Sequence, residues 1–122
     1  MKIPVLSLTL SLASQVLAGG FADSCRHYYI NPFDKSYIVG TCKRRSGYEF
    51  TNSLNMNICL KDNAGQFQWA RNGDGLKSCE PCRLDGTVLS CQCATGKGLR
   101  RTTSIDLNEK VGNDDGKLVC VV

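Results

Sequence analysis

One stretch of this chain is written twice. Ser104-Ile105-Asp106-Leu107-Asn108 is followed by Val111, by Gly112-Asn113-Asp114-Asp115-Gly116 and by Leu118. Ser53-Leu54-Asn55-Met56-Asn57, Leu60, Asp62-Asn63-Ala64-Gly65 and Phe67 repeat that order, each landmark 51 residues earlier, as Ser53 is to Ser104 and Gly65 to Gly116. Such a duplication restricts the chain to folds with two related halves. Each copy, at about 50 residues, is too short to bury a core alone, so the copies must pack together.

Within each copy, Ile105 and Leu107 alternate with polar Ser104, Asp106 and Asn108, the period of a half-buried strand. The alternation then lapses around a single apolar anchor, Val111 or Leu60, and a short helical turn is expected there. Gly116 and Gly65 suit a left-handed bend with bonding from the Asn and Asp side chains before them, and Leu118 and Phe67 begin another strand.

Residues 1–18 read as a secretory leader: Lys2 is a short basic start, Ile3 to Leu17 is mostly apolar, and Val16 with Ala18 supplies small residues before a cut at Gly19. The run carries Ser7, Thr9, Ser11, Ser14 and Gln15, falling short of a membrane span. The expected product is one exported domain over residues 19–122, without a membrane segment. Loss of Lys2 lowers the formal net charge from +4 to +3. The basic runs Lys43-Arg44-Arg45 and Arg100-Arg101 have no aromatic interleaving, so they read as solvated loop ends and no nucleic-acid partner is expected.

All 8 cysteines, Cys25, Cys42, Cys59, Cys79, Cys82, Cys91, Cys93 and Cys120, follow the leader. An even number in a small exported chain argues for disulfides, although eight cysteines allow about a hundred pairings. Cys79-x-x-Cys82 with Cys91-x-Cys93 also suits zinc, but oxidation competes with metal loading outside the cell and no metal or cofactor is expected. Cys25 and Cys79 hold equivalent places before a hairpin, and Cys42 and Cys93 after it, which pairs Cys25 with Cys42 and Cys79 with Cys93. Cys82 and Cys91 nest inside the second loop. Elimination joins Cys59 to Cys120, one copy to the other.

The second hairpin is Leu84-Asp85-Gly86-Thr87-Val88-Leu89, with Asp85-Gly86 expected as its turn. The first runs from Tyr28-Tyr29-Ile30 through residues 31–36 to Tyr37-Ile38-Val39. Between the copies, Ala70-Arg71-Asn72-Gly73-Asp74-Gly75 reads as a fixed bend.

Catalytic groups are scarce. His27 is the only histidine and stands beside a strand cysteine without a partner base or nucleophile. No Gly-x-Ser-x-Gly, paired-His or phosphate-loop motif is present, the adjacent Asp114 and Asp115 point apart, and the cysteines are committed, so no enzyme is expected. Binding is better supplied: Asn113, Asp114 and Asp115 between glycines present carboxylates, an amide and bare backbone of the kind that bonds vicinal sugar hydroxyls.

The segments Phe21-Ala22-Asp23-Ser24-Cys25 and Tyr37-Ile38-Val39-Gly40-Thr41-Cys42, the paired Ser-(Ile/Leu)-x-(Leu/Met)-Asn runs, the two glycine turns and Trp69 resemble the cyanovirin-N homology (CVNH) lectins, over about residues 20–121. The extra Cys59, Cys82, Cys91 and Cys120 resemble those of secreted fungal members. This resemblance implies an all-β, pseudosymmetric fold of two intertwined repeats, each half a triple-stranded sheet plus a hairpin with short 3₁₀ turns and strands exchanged between copies. It also implies metal-independent binding of high-mannose glycans, often at Manα1-2Man termini, in two pockets at opposite ends.

Carried over by position, the first pocket comprises Gly20, Asp23, Ser24, Lys43, Arg45, Asn113, Asp114 and Asp115. Asp23 and Asp115 would accept hydroxyl hydrogens, Asn113 would donate and accept, and Lys43 and Arg45 would donate at the rim. The second comprises Lys61, Asp62, Asn63, Lys77, Ser78, Ala94, Thr95 and Gly96, and departs from the family pattern at Lys61, Ala94 and Gly96, with Gly75 where a phenylalanine is expected. Trp69, at the junction, reads as hinge packing rather than a sugar platform. The expectation is a secreted monomeric lectin, with a half-exchanged dimer as the other state. The rival reading is a secreted cysteine-rich protein binder or effector that keeps the fold without sugar binding.

Overall fold

The computed structural model describes residues 19–122; the leader expected over residues 1–18 lies outside the described residues. The chain is all β, with ten strands and four 3₁₀ turns. A turn at Phe21–Asp23 leads into β1 (Cys25–Ile30), β2 (Tyr37–Lys43) and β3 (Glu49–Asn55), then a turn at Met56–Ile58 and the hairpin of β4 (Leu60–Asn63) and β5 (Gln66–Trp69). The second copy repeats this as a turn at Gly75–Ser78, β6 (Cys79–Asp85), β7 (Val88–Ala94), β8 (Arg100–Asp106), a turn at Leu107–Glu109, β9 (Val111–Asp114) and β10 (Lys117–Cys120). Two three-stranded antiparallel sheets, β1-β2-β3 and β6-β7-β8, and two hairpins, β4-β5 and β9-β10, result.

The copies exchange hairpins. The β9-β10 hairpin packs against β2 and β3, and β5 packs against β8, so each half of the molecule takes its sheet from one repeat and its hairpin from the other. Two side chains pin the exchange. Asn52 Nδ2 donates to the Gly116 carbonyl at 2.7 Å, and its Oδ1 accepts the Leu118 amide at 2.8 Å. In the other half Thr103 Oγ1, buried, accepts the Phe67 amide at 3.0 Å.

The 3₁₀ turns begin where the alternation stops, but the expected anchors lie beyond them. Leu60 and Val111 open β4 and β9, whereas Met56 and Leu107, both 0 % exposed, are the buried residues inside the turns. Each turn starts with a side-chain cap: Asn55 Oδ1 accepts the Asn57 amide and Asp106 Oδ1 that of Asn108, satisfying a donor with no partner inside the turn. The turn of the second long hairpin also falls one residue later than expected. Asp85 pairs with Val88, so Gly86 and Thr87 form the loop, with Gly86 at φ 59° and Thr87 Oγ1 donating to Asp106 Oδ1 at 2.7 Å.

The expected bridges are present: Cys25–Cys42, Cys79–Cys93, Cys82–Cys91 and Cys59–Cys120. Among the described residues all the cysteines are bridged, so the Cys79-x-x-Cys82 and Cys91-x-Cys93 spacings serve disulfides. Asp62 lies beside the Cys79 and Cys93 sulfurs, but those sulfurs are bonded to one another. The first copy fills the place of Cys82–Cys91 differently. A Cβ on Gly40 would lie 3.6 Å from Tyr28 Cβ, and the Tyr28 ring meets buried Phe21 edge-on at 5.0 Å. In the second copy Gly75 stands where Phe21 would be and Leu76, 0 % exposed, fills the core one residue on.

The connector is a fixed bend. The amides of Ala70, Asn72 and Asp74 donate to the carbonyls of Cys59, Ile58 and Asn57, and a Cβ on Gly73 would lie 2.5 Å from the Leu60 carbonyl oxygen. Trp69 packs half-buried against the core and its Nε1 donates to Glu109 Oε1 of the other copy at 3.3 Å. Among the described residues no helix is long and apolar enough to cross a membrane.

Candidate functional site

The first-pocket residues come from three separate segments that one side chain gathers. Asn113 Nδ2 donates to Ser24 Oγ at 2.8 Å and to the Lys43 carbonyl at 2.9 Å, while its Oδ1 accepts the Gly116 amide at 2.7 Å. It thus ties the β9-β10 turn to the N-terminal turn and to the end of β2, with help from the Lys43 amide donating to the Ser24 carbonyl at 2.9 Å. With both amide hydrogens committed, Asn113 is a scaffold rather than the donor to ligand expected of it.

The acidic turn beside it is held open to solvent. Asp114 pairs with Lys117, leaving Asp115 and Gly116 as a two-residue loop with φ of 50° and 95°, a geometry that Asp and Gly tolerate and most residues do not. Asp115 Oδ1 accepts the Arg45 amide at 2.9 Å, which fixes the carboxylate and leaves Oδ2 without a hydrogen-bond partner among the described residues. Asp114 Oδ1 stands 3.9 Å from Arg45 Nη2, both side chains being well exposed, so that contact contributes little to stability. Arg44 points its guanidinium over the Phe50 ring, 4.6 Å from the centroid.

Gly20 and Asp23 reach this surface through the N-terminal turn, which packs against β9. The Gly20 amide donates to the Asn108 carbonyl at 2.8 Å, and Ala22 donates to Asn108 Oδ1 at 3.0 Å. Asp23 Oδ2 folds back to within 3.5 Å of where a Cβ on Gly20 would be. Asn108 therefore positions the turn that carries Ser24 and Asp23. Its signal was present in the sequence, since Asn57 recurs 51 residues earlier and bonds the Leu76 amide at 2.8 Å and the Asp74 amide at 2.9 Å in the same way. Asn52 carried no such signal, because its counterpart is Thr103.

The second-pocket residues assemble on the same plan with other chemistry. Asp62 occupies the place of Asn113: its Oδ1 accepts the Gly65 amide at 2.7 Å and its Oδ2 accepts the Ser78 hydroxyl at 2.7 Å. The hydrogen bond to serine thus runs in the opposite sense, from hydroxyl to carboxylate. Ala64, at φ 52°, replaces Asp115, and Gly96 replaces Arg45, so this turn offers neither the free carboxylate nor the guanidinium. Thr95 is occupied by its own loop, its amide and hydroxyl both donating to the Leu99 carbonyl. Lys61, Asn63, Lys77 and Gly96 are exposed, and Ala94 is half-buried. His27, the lone histidine, sits exposed at φ 55° in the bulge of β1, distant in sequence from these groups and bonded to none of them.

Exchanged hairpins, two pseudo-equivalent polar turns and a disulfide clasp at the base of each define a double-ended, disulfide-stapled β fold with one exposed polar surface per half. The chain matches the CVNH domain over residues 21–119, and it belongs to the CVNH family. Several solved members share its fold. A MoCVNH3 variant in complex with (N-GlcNAc)4 superposes with a TM-score of 0.74 at 20% identity, over 88% of this chain and 100% of that one. TbCVNH of T. borchii gives 0.71 at 27% identity, over 84% and 99%. Microvirin in complex with mannobiose gives 0.70 at 24% identity, over 84% and 99%.

Proposed function

We propose that this protein is a secreted lectin that binds mannose-type glycans, with Manα1-2Man termini as the preferred ligand, through the first pocket and without metal. The observation that carries the reading is the Asp115 carboxylate, fixed through Oδ1 by the Arg45 amide with Oδ2 free to accept from a sugar hydroxyl. Arg45 pairs with half-exposed Asp114 next to it in the turn, and exposed Asp23 and Lys43 add a further acceptor and donor on the segments that Asn113 ties to this turn. Vicinal hydroxyls, each donor and acceptor at once, are the ligand groups such a set satisfies. Family membership and the oligosaccharides recorded with MoCVNH3 and microvirin support the same reading. One working pocket per monomer binds weakly, so avidity comes from multivalent glycans.

The test is a ¹H-¹⁵N titration of oxidised protein beginning at residue 19 with Manα1-2Man. Saturable shifts at residues 20–24, 43–45 and 112–116 are expected, and Asp115→Asn should abolish them without changing the remaining spectrum. A folded spectrum with no shift in that group would retire the lectin reading and bring forward the protein-binding one.

A further inference from the structure

The two ends of the molecule share a backbone plan and differ systematically in charge. The first end carries the carboxylates of Asp23, Asp114 and Asp115 beside Lys43, Arg44 and Arg45. At the equivalent places the second end has Lys77, Asn63 and Ala64 beside Ala94, Thr95 and Gly96. It also has Lys61 where the first has Gly112, Lys97 for Ser46 and Arg101 for Phe50. Three carboxylates and three cations of the first end are gone, while four cations and two carboxylates, Asp62 for Asn113 and Asp74 for Gly20, take their places, so over these positions the formal charge rises from zero to +2.

The acidic groups left at this end are already engaged. Asp62 accepts from the Gly65 amide and the Ser78 hydroxyl, and Asp74 Oδ2 lies 3.6 Å from Lys77 Nζ. Lys61, Lys97 and Arg101 are exposed, and among the described residues none of them forms an ion pair. The fold draws these cations to one end. The Arg101 stem lies against the β4-β5 turn, its Cβ 3.0 Å from where a Cβ on Gly65 would be, with Thr95 Cγ2 equally near. Lys61 forms an isolated antiparallel bridge with Asp74, and Lys97 sits in the short loop that Thr95 closes onto Leu99.

Resting on the lectin reading of this fold, we infer that the second end takes an anionic sugar, a glycan unit bearing phosphate or carboxylate. Lys61, Lys97 and Arg101 meet the charge, and Asn63 meets neighbouring hydroxyls. Ammonium and guanidinium groups without carboxylate partners are the donors that recognise such anions by charge-assisted hydrogen bonds. A neutral sugar can accept hydrogen bonds from such groups but lacks the charge that strengthens them.

Four probes decide it in the same titration: mannobiose 6-phosphate, a glucuronosyl-mannose disaccharide, neutral Manα1-2Man and inorganic phosphate. Saturable shifts at residues 61, 63, 77, 96–98 and 101 are expected with an anionic disaccharide and not with the neutral one. The charged arm that responds identifies phosphate or carboxylate as the group recognised. Affinity should weaken with added salt and fall about tenfold or more in Lys61→Glu/Lys97→Glu, whose side chains are exposed and whose ammonium groups form no ion pair among the described residues. Equal response to neutral and anionic sugar, no response to either anionic sugar, an unchanged affinity in the double variant, or inorganic phosphate matching the disaccharides would each overturn it. The lectin reading is scored separately, at residues 20–24, 43–45 and 112–116 with neutral Manα1-2Man, so either can fail while the other stands.

Discussion

Replacing Asn113 probes the joint on which the first pocket depends. Asn113→Ala removes three hydrogen bonds, to Ser24 Oγ, to the Lys43 carbonyl and from the Gly116 amide, at a half-buried position. At about 1 kcal/mol each, and with water re-solvating part of the exposed partners, the expected loss is about 2–3 kcal/mol. Asn113→Asp is the sharper variant, because it copies Asp62 of the other half. The Gly116 bond survives, and the Ser24 hydroxyl can turn to donate, as Ser78 does to Asp62. The Lys43 carbonyl, however, would face a carboxylate oxygen from the 2.9 Å position with no hydrogen between them, costing about 1–2 kcal/mol. Guanidinium unfolding with disulfides intact gives both values from midpoints at constant m. A cycle with Ser24→Ala separates the serine contribution. The reasoning fails if Asn113→Ala costs under about 0.5 kcal/mol, or if Asn113→Asp is as costly as Asn113→Ala.

Other perturbations follow from the same geometry. Ala64, an alanine at φ 52°, bears left-handed strain of about 1 kcal/mol, so Ala64→Asn should raise the unfolding midpoint; a lower midpoint would mean the turn is not of this type. Gly116→Ala adds a Cβ 2.7 Å from Arg44 Cγ at φ 95°, whereas Gly47→Ala at the same φ meets open space; thermal melts should show the first as the more damaging, and parity would remove the close-approach argument. The Cys59–Cys120 bridge spans 61 residues and Cys82–Cys91 only 9, so in the chain-entropy account serine pairs should cost about 4 and at most about 2.5 kcal/mol. A reversed order by denaturant titration would show that strain or native contacts, not loop closure, dominate. Asn108→Ala should loosen the N-terminal turn, read as faster amide exchange at residues 20–24 with the β6-β7-β8 sheet unchanged; uniform protection would refute its positioning role.

The repeat carried most of the fold in advance, because hydrophobic alternation and glycine turns are local properties and an offset of 51 residues exposes them twice. It also paired the cysteines, since equivalent places in two copies must make equivalent bridges. What it left open were contacts whose partners lie far apart in the chain. Sequence placed Asn113 among the ligand donors, and only the tertiary structure shows its amide committed to Ser24, 89 residues away. Likewise Leu60 and Val111 read as part of the turns, because an apolar residue looks alike on the last residue of a turn and the first of a strand.

By itself, then, the sequence determined two half-units of strand, 3₁₀ turn and hairpin, their disulfide staples and the polar character of their turns. The tertiary structure decided which turn meets which sheet. Because each hairpin crosses to the other copy's sheet, the acidic β9-β10 turn faces Lys43 and Arg45, while the β4-β5 turn, lacking the free carboxylate, faces Thr95 and Arg101. The unlike chemistry of the two ends thus comes from long-range pairing, which no window of local sequence contains.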